Sequence, residues 1–447
     1  MLAKKSTNIQ VWMALLSIVF LLGLSACNGA DDDVESPAPT EEAAPAEDSS
    51  TTEDSSTAAE DSSATAEPSE FDLDAILANA DGDCQEPTGD PLVIGYVADF
   101  SELGGFADVP GSEAADYMVE LINCAGGLNG TPIEYTVYPA DALDLDLTLR
   151  AAQDAVDAGS HAVLGPPFSD VGLPLLNVLG GTIPAIHVAS TEAILADPTL
   201  LSFLMTFDDE TQGNTAGEWA FDNGYTTAVT LSSSDAPYFE ANPQAFTAAF
   251  TANGGEVLSD YSFGIGDDDY SSQVNEIAAL DPAPEILYTA NIMPFIEVMI
   301  GQLRAAGLED LVIMGPDGFD ATRIIDGGET TDGAIYTTHA FPSEGSRMAT
   351  FLAAYEADRG EALESIAFGP LAADAILTIA QAYLASGELD SQAIGEAILN
   401  TGSFDLISVD SISYEGAGLP VKEVYILQNL DGEPTMIDQR IPGDYSE

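Results

Sequence analysis

The sequence predicts an α/β protein built from two doubly wound lobes with parallel sheets. Short apolar strands alternate with amphipathic helices from Pro91 onward, and after residue 188 the same alternation starts a second time at Thr226. An alternation of this kind is typical of parallel sheets covered by helices on both faces. The chain is also long enough to form two domains after its first 90 residues.

The first series contains four apolar strands and three helices. Gly126-Gly127 ends the first helix, as glycine pairs often do. We expect strands at 92–97, 134–138, 161–164 and 185–188, with helices at 111–123, at 146–157 and after Ser169.

The second series repeats this order and ends in three helices and two strands. In open α/β sheets ligands bind beyond the carboxyl ends of the strands, so we expect two such edges to form a cleft. We expect strands at 226–232, 257–261, 285–289, 311–314 and 334–338, helices at 242–253, 270–280 and 294–306, three helices within 346–401, and a final hairpin of 409–414 with 421–428.

Residues 1–27 are typical of an export signal. Lys4 and Lys5 precede an apolar run over 9–24, and the segment ends in Leu-Ser-Ala-Cys at Cys27. A short apolar core after a basic start indicates a signal peptide, and the last four residues resemble the lipobox of bacterial lipoproteins. We therefore expect an extracytoplasmic protein anchored to the membrane by a lipidated Cys27. The alternative is an uncleaved N-terminal anchor.

Residues 28–90 are expected to form an acidic, disordered tether and a lead-in to the folded body. Up to residue 70 the segment consists mainly of Ala, Ser, Thr, Pro and acids. Such a composition buries too little apolar surface to offset the entropy of ordering. No other long apolar run follows, so the lipid is the expected membrane contact.

The chain is strongly acidic, with 76 Asp and Glu against nine Lys and Arg and a formal net charge of −67. Nucleic acid is excluded as a partner because phosphate binding needs clustered basic residues. The charge suits either a cation-binding surface or a solvated surface that keeps the protein soluble in a salty medium.

Cys84 and Cys124 are the two cysteines that follow Cys27. Outside the cytoplasm an even pair favours a disulfide. Cys84 precedes the first strand and Cys124 ends the first helix, and these two points share one edge of the sheet. Two unpaired buried thiols are the alternative.

Five short segments point to a family. They are Leu-Ile-Asn-Cys-Ala-Gly-Gly-Leu-Asn-Gly at 121–130, Leu-Gly-Pro-Pro-Phe-Ser at 164–169, Ala-Ser-Thr at 189–191, Asp-Asp-Asp-Tyr-Ser at 267–271 and Met-Gly-Pro-Asp-Gly at 314–318. In this order they resemble the leucine/isoleucine/valine-binding proteins, which are class I (type 1) periplasmic binding proteins of branched-chain amino-acid ABC transporters. The resemblance covers roughly residues 91–430.

The resemblance implies a fold with a three-segment hinge and a role in solute import. The chain would cross between lobes near 206–209, 338–341 and 407–410, so that 91–206 plus 340–407 form lobe one and 207–339 plus 408–440 form lobe two. The protein would bind a small amino-acid-like solute in the cleft and deliver it to an ABC transporter permease. A sensor or regulatory protein of the same fold, for an amide, urea or carboxylate, is the alternative.

The resemblance also assigns site residues. Ser169 matches the serine that binds the ligand carboxylate, and Ala189, Ser190 and Thr191 match the loop that holds the zwitterion. Asp317 stands where the family usually has a glutamate that pairs with the ligand ammonium. Their structural alternatives are a plain N-cap for Ser169, a strand-to-helix turn for 189–191 and a β-turn for Asp317.

Four residues fall near the family positions that line the side-chain pocket: Phe106, Tyr238, Asn291 and Ile292. The family often has tyrosines after the strand that ends at residue 289, whereas this chain has Asn291 and Ile292 there. The identity of the ligand side chain is therefore left open by the sequence.

Motifs for catalysis are lacking in the sequence. It has no Gly-x-Ser-x-Gly elbow, no phosphate-binding loop with Lys and no paired-His zinc motif. The run Asp267–Asp269 lacks the Gly and Glu that an EF-hand loop requires. We therefore expect no enzyme activity, no cofactor and no metal. An exported hydrolase is the alternative class, and the sequence does not favour it.

Overall fold

A computed structural model describes residues 71–80 and 82–442 of the chain. The predicted signal peptide, the lipobox Cys27 and the acidic tether up to residue 70 lie outside the described residues. Within the described part, no helix is both long and apolar enough to cross a membrane.

The first half of the described chain forms five strands and four helices after a short leading helix. These elements are α1 (Leu73–Ala78), β1 (Leu92–Asp99), α2 (Gly105–Cys124), β2 (Ile133–Ala140), α3 (Leu145–Asp157), β3 (Ala162–Gly165), α4 (Ser169–Leu179), β4 (Ala185–His187), β5 (Ser202–Leu204) and α5 (Asp209–Asp222).

The second half repeats the alternation and adds a helical group and a terminal hairpin. These elements are β6 (Thr227–Ser232), α6 (Pro237–Ala252), β7 (Glu256–Ser262), α7 (Ser271–Ala278), β8 (Ile286–Thr289), α8 (Phe295–Ala305), β9 (Val312–Gly315), α9 (Gly318–Ala321), β10 (Ile335–Thr338), α10 (Arg347–Arg359), α11 (Gly369–Ser386), α12 (Ser391–Asn400), β11 (Phe404–Asp405), β12 (Ser411–Ile412), β13 (Val424–Leu430) and β14 (Glu433–Arg440).

Two sheets share one strand order. The first is parallel and runs β2-β1-β3-β4-β5, and the second contains β7-β6-β8-β9-β10 in the same relative order. The second sheet continues with β13 and β14, which are antiparallel to their neighbours. In this order the first strand lies between the second and the third, and the crevice beside it is the usual ligand position of a doubly wound sheet.

The strands show why the sequence forms parallel sheets. Strands β3 and β4 are buried along their whole length, as is most of β1, whereas the edge strand β2 alternates between buried and exposed residues. A continuous apolar run is typical of a strand covered on both faces, and alternation is typical of a strand with one solvated face.

The chain passes between the two sheets three times. It leaves the first sheet after β5 and enters the second at β6. After β10 it returns, because α11 packs against α2 and α12 against β3. It joins the second sheet again at β13.

A hydrogen bond and a disulfide attach two other segments to helix α2. Tyr355 in α10 donates a hydrogen bond to Glu113 of α2, with 3.1 Å between the oxygens. Cys84 and Cys124 are joined by a disulfide, which ties the segment before β1 to the end of α2.

The structure corrects the predicted C-terminal hairpin. Strand β12 pairs with β11, and β13 pairs with β14 around Asp431-Gly432, whose φ angles are 55° and 79°. Positive φ at both central residues is characteristic of the type I′ turn, for which Asp-Gly is a preferred sequence. The expected hairpin around 415–418 is therefore wrong, and only a single bridge joins Ser413 to Val421.

Several other elements were not predicted. Helix α1 lies in the expected lead-in, β5 and α5 lie between the two predicted series, and α9 follows β9. Helix α2 begins at Gly105 rather than at 111, because Pro110 lies inside the helix instead of preceding it.

Most basic side chains of the folded part make ion pairs with surface acids. Arg347 pairs with Asp74, Arg359 with Glu120 and Arg440 with Asp222. With 76 acids against nine basic residues, most surface carboxylates have no cationic neighbour and repel one another. Such repulsion destabilises a compact state and is screened by salt.

We therefore expect the melting temperature to rise with salt. The Debye length falls from about 10 Å at 0.1 M to about 3 Å at 1 M, so repulsion between neighbouring surface carboxylates weakens across this range. Calorimetry at a series of NaCl concentrations measures the effect. A melting temperature that stays constant or falls with added NaCl would contradict this expectation.

Helices α5 and α6 approach closely because α5 presents glycines to α6. A Cβ on Gly213 would lie 2.6 Å from the carbonyl oxygen of Asn242, and one on Gly217 would lie 2.6 Å from that of Phe246. Real Cβ atoms do not come this close to backbone oxygens, so a side chain here would push the helices apart.

Gly217→Ala should therefore lower the free energy of unfolding by about 1–3 kcal/mol, the usual cost of overpacking. The matched control is Gly301→Ala in α8, where the nearest atom to the new Cβ is 3.8 Å away. This control should be neutral or stabilising by up to about 1 kcal/mol, because Ala favours helix. Urea titration of both variants measures the difference, and equal effects would argue against the close approach.

Candidate functional site

The candidate residues lie where strands of both sheets end. Ser169 follows β3, and residues 189–192 follow the neighbouring strand β4. In the second sheet Tyr238 lies at the start of α6 after β6, and Asp317 follows β9. Since the strands within each series are parallel, these loops emerge at the carboxyl edges of the two sheets.

Asp317 is buried and held by side chains from separate elements. It is 3% exposed. Its Oδ1 accepts a hydrogen bond from the Tyr238 hydroxyl at 2.9 Å, and its Oδ2 lies 2.9 Å from Nε2 of His339. Its backbone N–H donates to Oε1 of Gln212 at 3.1 Å. Asp317 therefore lies in a Pro-Asp-Gly segment that favours a turn, and its side chain points into a buried cluster.

Asp209, a residue that the sequence did not single out, faces the same cluster. It is the first residue of α5 and is 6% exposed. Its carboxylate accepts hydrogen bonds from Gln212 at 3.2 Å and Asn242 at 3.1 Å, and also from the side chain of Thr191. Burial raises the pKa of Asp209 to about 7, and the charge of Asp317 raises it further against the effect of these hydrogen bonds.

Gln212 joins Asp209 and Asp317, which we call the acid pair, through the carboxylate of Asp209 and the backbone N–H of Asp317. Its Nε2 donates to Asp209, while its Oε1 accepts from the Asp317 N–H and from the hydroxyl of Thr337 at 3.3 Å. The residues that contact the acid pair are neutral donors, so the pair keeps a negative charge when it is ionised. A buried charge needs an opposite charge or full hydrogen bonding, so this arrangement is chemically complementary to a positively charged group.

His339 supports Asp317 from the second segment that runs between the sheets. It is fully buried, and its ring lies 3.9 Å from that of Phe207, centroid to centroid. Burial lowers the pKa of His339 although Asp317 acts in the opposite direction. A lowered pKa favours the neutral imidazole, and in that form we assign the proton to Nε2 because that nitrogen faces the carboxylate.

Ser169 is the first residue of α4, and the N-cap position belongs to Phe168, which has no side-chain acceptor. The backbone N–H of Ser169 donates to Oε2 of Glu192 at 2.8 Å. Glu192 follows Thr191 directly, and its own N–H donates to the hydroxyl of Ser190 at 3.3 Å. The predicted zwitterion loop therefore brings a carboxylate of the chain itself to the N-terminus of α4.

Ala189 and Ser190 contribute to this loop in different ways. Ala189 is half-buried, whereas Ser190 is 1% exposed. The carbonyl oxygen of Ser190 accepts a hydrogen bond from the Thr206 hydroxyl, where the chain leaves the first sheet. The loop is thus attached to the segment that leads to Asp209.

The four predicted pocket residues are placed differently from one another. Tyr238 donates a hydrogen bond to Asp317. Ile292 lies beside Gly318, with its Cγ2 3.2 Å from the position that a Cβ on Gly318 would take. Asn291 instead donates to the hydroxyl of Tyr270 at 2.9 Å and is buried away from solvent.

Phe106 is 38% exposed and reaches the cluster only through other rings. Its ring packs edge-on against Phe368 at 5.8 Å, and Phe368 lies 6.0 Å from His339. It also lines a small cavity of about 130 Å³ together with residues of the β9–β10 connection and of 364–367.

Among residues 71–80 and 82–442, no group of three or more His, Cys, Asp or Glu side chains is arranged to hold a metal ion.

Comparison with known proteins gives consistent matches. A family model described as "Periplasmic binding protein" matches residues 91–433. A Leu/Ile/Val-binding protein homolog 1 of Brucella abortus (strain 2308) is 24% identical over 336 residues, which cover 74% of this chain and 88% of that protein.

Solved structures show the same fold. The leucine binding protein LivK from Thermotoga maritima has a TM-score of 0.65 and 24% identity, and the match covers 79% of this chain and 99% of that one. An ABC transporter solute binding protein from R. palustris in complex with benzoate has a TM-score of 0.63 and 20% identity, with 79% and 97% covered. These likenesses confirm the predicted two-lobed α/β fold class.

Burial of Asp209 should make stability depend on pH. Its pKa is raised in the folded state from 3.8 to about 7, so the folded protein loses stability relative to the unfolded chain as pH rises through this interval. Asp209→Asn removes this loss. Relative to wild type, its free energy of unfolding should increase by about 1–3 kcal/mol between pH 5 and 8, since one pKa unit corresponds to about 1.4 kcal/mol.

The control is Asp208→Asn, which places an amide in the same turn and retains an N-cap for the Thr211 N–H. Urea unfolding of the three proteins at both pH values gives the comparison. If Asp209→Asn differs from wild type by the same amount at pH 5 and pH 8, the assignment of a raised pKa to Asp209 is wrong.

Proposed function

We propose that this chain, which belongs to the periplasmic binding protein family, is the extracytoplasmic substrate-binding protein of an ABC importer. Its solute is small and amino-acid-like, and the acid pair binds the amine of this solute. Family members bind solutes without transforming them, which confirms the prediction that the chain is not an enzyme.

The observation that carries the proposal is the burial of Asp209 and Asp317 in one cluster with only neutral donors. Each oxygen of Asp317 accepts one hydrogen bond from Tyr238 or His339. A carboxylate oxygen has two acceptor sites, so both oxygens can accept one more bond. An ammonium group offers three hydrogen-bond donors and a positive charge, so it can both fill the free acceptor sites and neutralise the buried negative charge.

The related proteins support an amine ligand without requiring one. The Brucella relative is a Leu/Ile/Val-binding protein homolog, and the Thermotoga structure is of a leucine binding protein. The R. palustris protein, in contrast, holds benzoate, which has no amine. Since the fold accepts both kinds of ligand, the acid pair of this chain is the feature that favours an amine.

The proposal includes export, anchoring and lobe closure. Cys27 would be lipidated, the segment after it would act as a tether, and the permease would receive the loaded protein. Lobe one would comprise 91–206 plus 340–407 and lobe two 207–339 plus 408–440. A ligand that contacts both lobes would stabilise the closed form by population shift.

Replacement of Asp317 tests the proposed site. Asp317→Ala should weaken binding of an amine-bearing ligand about 10- to 100-fold, because a hydrogen bond to a charged group contributes about 1.5–3 kcal/mol. The ligands are first found by a thermal-shift screen of amino acids, their amides and benzoate, since binding raises the melting temperature. Affinity is then measured by isothermal titration calorimetry.

Two further variants make the result specific. Asp317→Asn keeps the shape and loses the charge, and it should also weaken amine binding. Asp326→Ala removes an exposed acid that pairs with Arg323 and should leave affinity unchanged. Circular dichroism checks that each variant is folded. An affinity for amines that survives in Asp317→Ala, or a screen in which only amine-free solutes bind, would refute the proposed amine site.

A further inference from the structure

Glu192 occupies the N-terminus of α4, at the carboxyl edge of the first sheet. Its Oε2 accepts the backbone N–H of Ser169 at 2.8 Å, the first residue of the 11-residue helix α4. The N-cap residue Phe168 provides no side-chain acceptor for this helix. Glu192 therefore supplies the carboxylate that satisfies the helix terminus.

The same loop connects Glu192 to the acid pair. Thr191, the preceding residue, donates its side-chain hydrogen bond to Asp209, and its carbonyl oxygen accepts the Asp209 N–H at 3.1 Å. Gln212 links Asp209 to Asp317. Glu192, Asp209 and Asp317 are therefore parts of one connected site, in which none of the direct hydrogen-bond partners named above is Lys or Arg.

A free ligand carboxylate would meet two obstacles at α4. It would have to displace Glu192, which is held nearby by the chain and so has a high effective concentration. It would also lie close to a like charge, which raises the cost of bringing it into the site. An uncharged amide in the same place avoids the second obstacle, and it also avoids the cost of stripping water from an anion.

We propose that Glu192 determines specificity by taking the place of the ligand carboxylate, so that the site prefers an amine without a free carboxylate, such as an amino-acid amide. This inference rests on the proposed function, because it assumes that the acid pair binds the amine. It goes further in naming the chemical class of the solute and the residue that selects it.

Matched ligand pairs test the inference. Leucine is compared with leucinamide and alanine with alaninamide, so that within each pair only the carboxylate changes. Calorimetry on the wild-type protein should show tighter binding of each amide. In Glu192→Gln the side chain can still accept the Ser169 N–H but has no charge, and the preference for the amide should fall by about tenfold, the difference between a charged and a neutral acceptor.

The control variant is Asp170→Asn, which removes the exposed acid next in sequence on the same helix. It should leave the preference unchanged, which separates the role of Glu192 from the general charge near α4. Glu192→Ala serves as a second variant and should shift the preference in the same direction as Glu192→Gln.

The outcomes separate this inference from the proposed function. If wild type binds the zwitterions more tightly than the amides and Glu192→Gln leaves the ratio unchanged, the role of Glu192 is refuted. In that case loss of zwitterion binding in Asp317→Ala would still uphold the amine site. If no member of either pair binds while benzoate does, both the amine site and the role of Glu192 are refuted.

Discussion

The burial of the acid pair is the constraint on which the rest of the site depends. Two carboxylates removed from water need donors, and this chain provides neutral ones from several distant segments. They come from the loop after β4, from α5 and α6, and from the residue after β10: Thr191, Gln212, Tyr238, Asn242 and His339. Each donor must be in place, because an unsatisfied buried charge costs several kcal/mol. The cluster therefore links the carboxyl edge of the first sheet to the elements of the second.

A second buried pair lies where the chain runs between the sheets. Lys422, the single lysine after Lys5, is 2% exposed and donates to the carbonyl oxygen of Met205 at 3.3 Å. Asp374 of α11 accepts the backbone N–H groups of Ile407 and Ser408 at 2.8 and 3.3 Å. Burial lowers the pKa of Lys422 to about 8 and raises that of Asp374 to about 6, and each charge partly offsets this effect on the other. The one lysine among the described residues thus lies beside the segments at Met205 and at Ile407–Ser408, where the chain runs between the two sheets.

The sequence predicted the elements whose apolar residues follow a clear period. Most strands of both sheets and most of the longer helices lie within a few residues of their expected positions, because buried parallel strands and amphipathic helices leave strong patterns. Helix α5 was missed because it packs through Gly213 and Gly217, which a hydrophobic pattern does not register. The terminal hairpin was assigned to the wrong turn, although Asp431-Gly432 is a strong hairpin signal.

The sequence named candidate site residues only where a family pattern exists. Ser169, Thr191, Tyr238 and Asp317 were named from the resemblance, and the structure shows how Tyr238 and Asp317 contact each other. Asp209 could not be found, since its helix was not recognised. The contact between Ser169 and Glu192 spans 23 residues, and it depends on the parallel pairing of β3 with β4. No local pattern in the sequence encodes that contact.

Asp317 is one methylene shorter than the glutamate usual in the family, and the structure shows how its position is maintained. Tyr238 holds one carboxylate oxygen, and His339, packed on Phe207, holds the other. A short side chain held at both oxygens has little freedom to move, so under the proposed function the amine of the ligand would have to reach Asp317 itself. At 3% exposure, Asp317 is reached only if the surrounding loops separate. Under the proposed function, ligand entry would require movement of the elements that bury the acid pair, and an ammonium group would offset the cost of burying its two carboxylates.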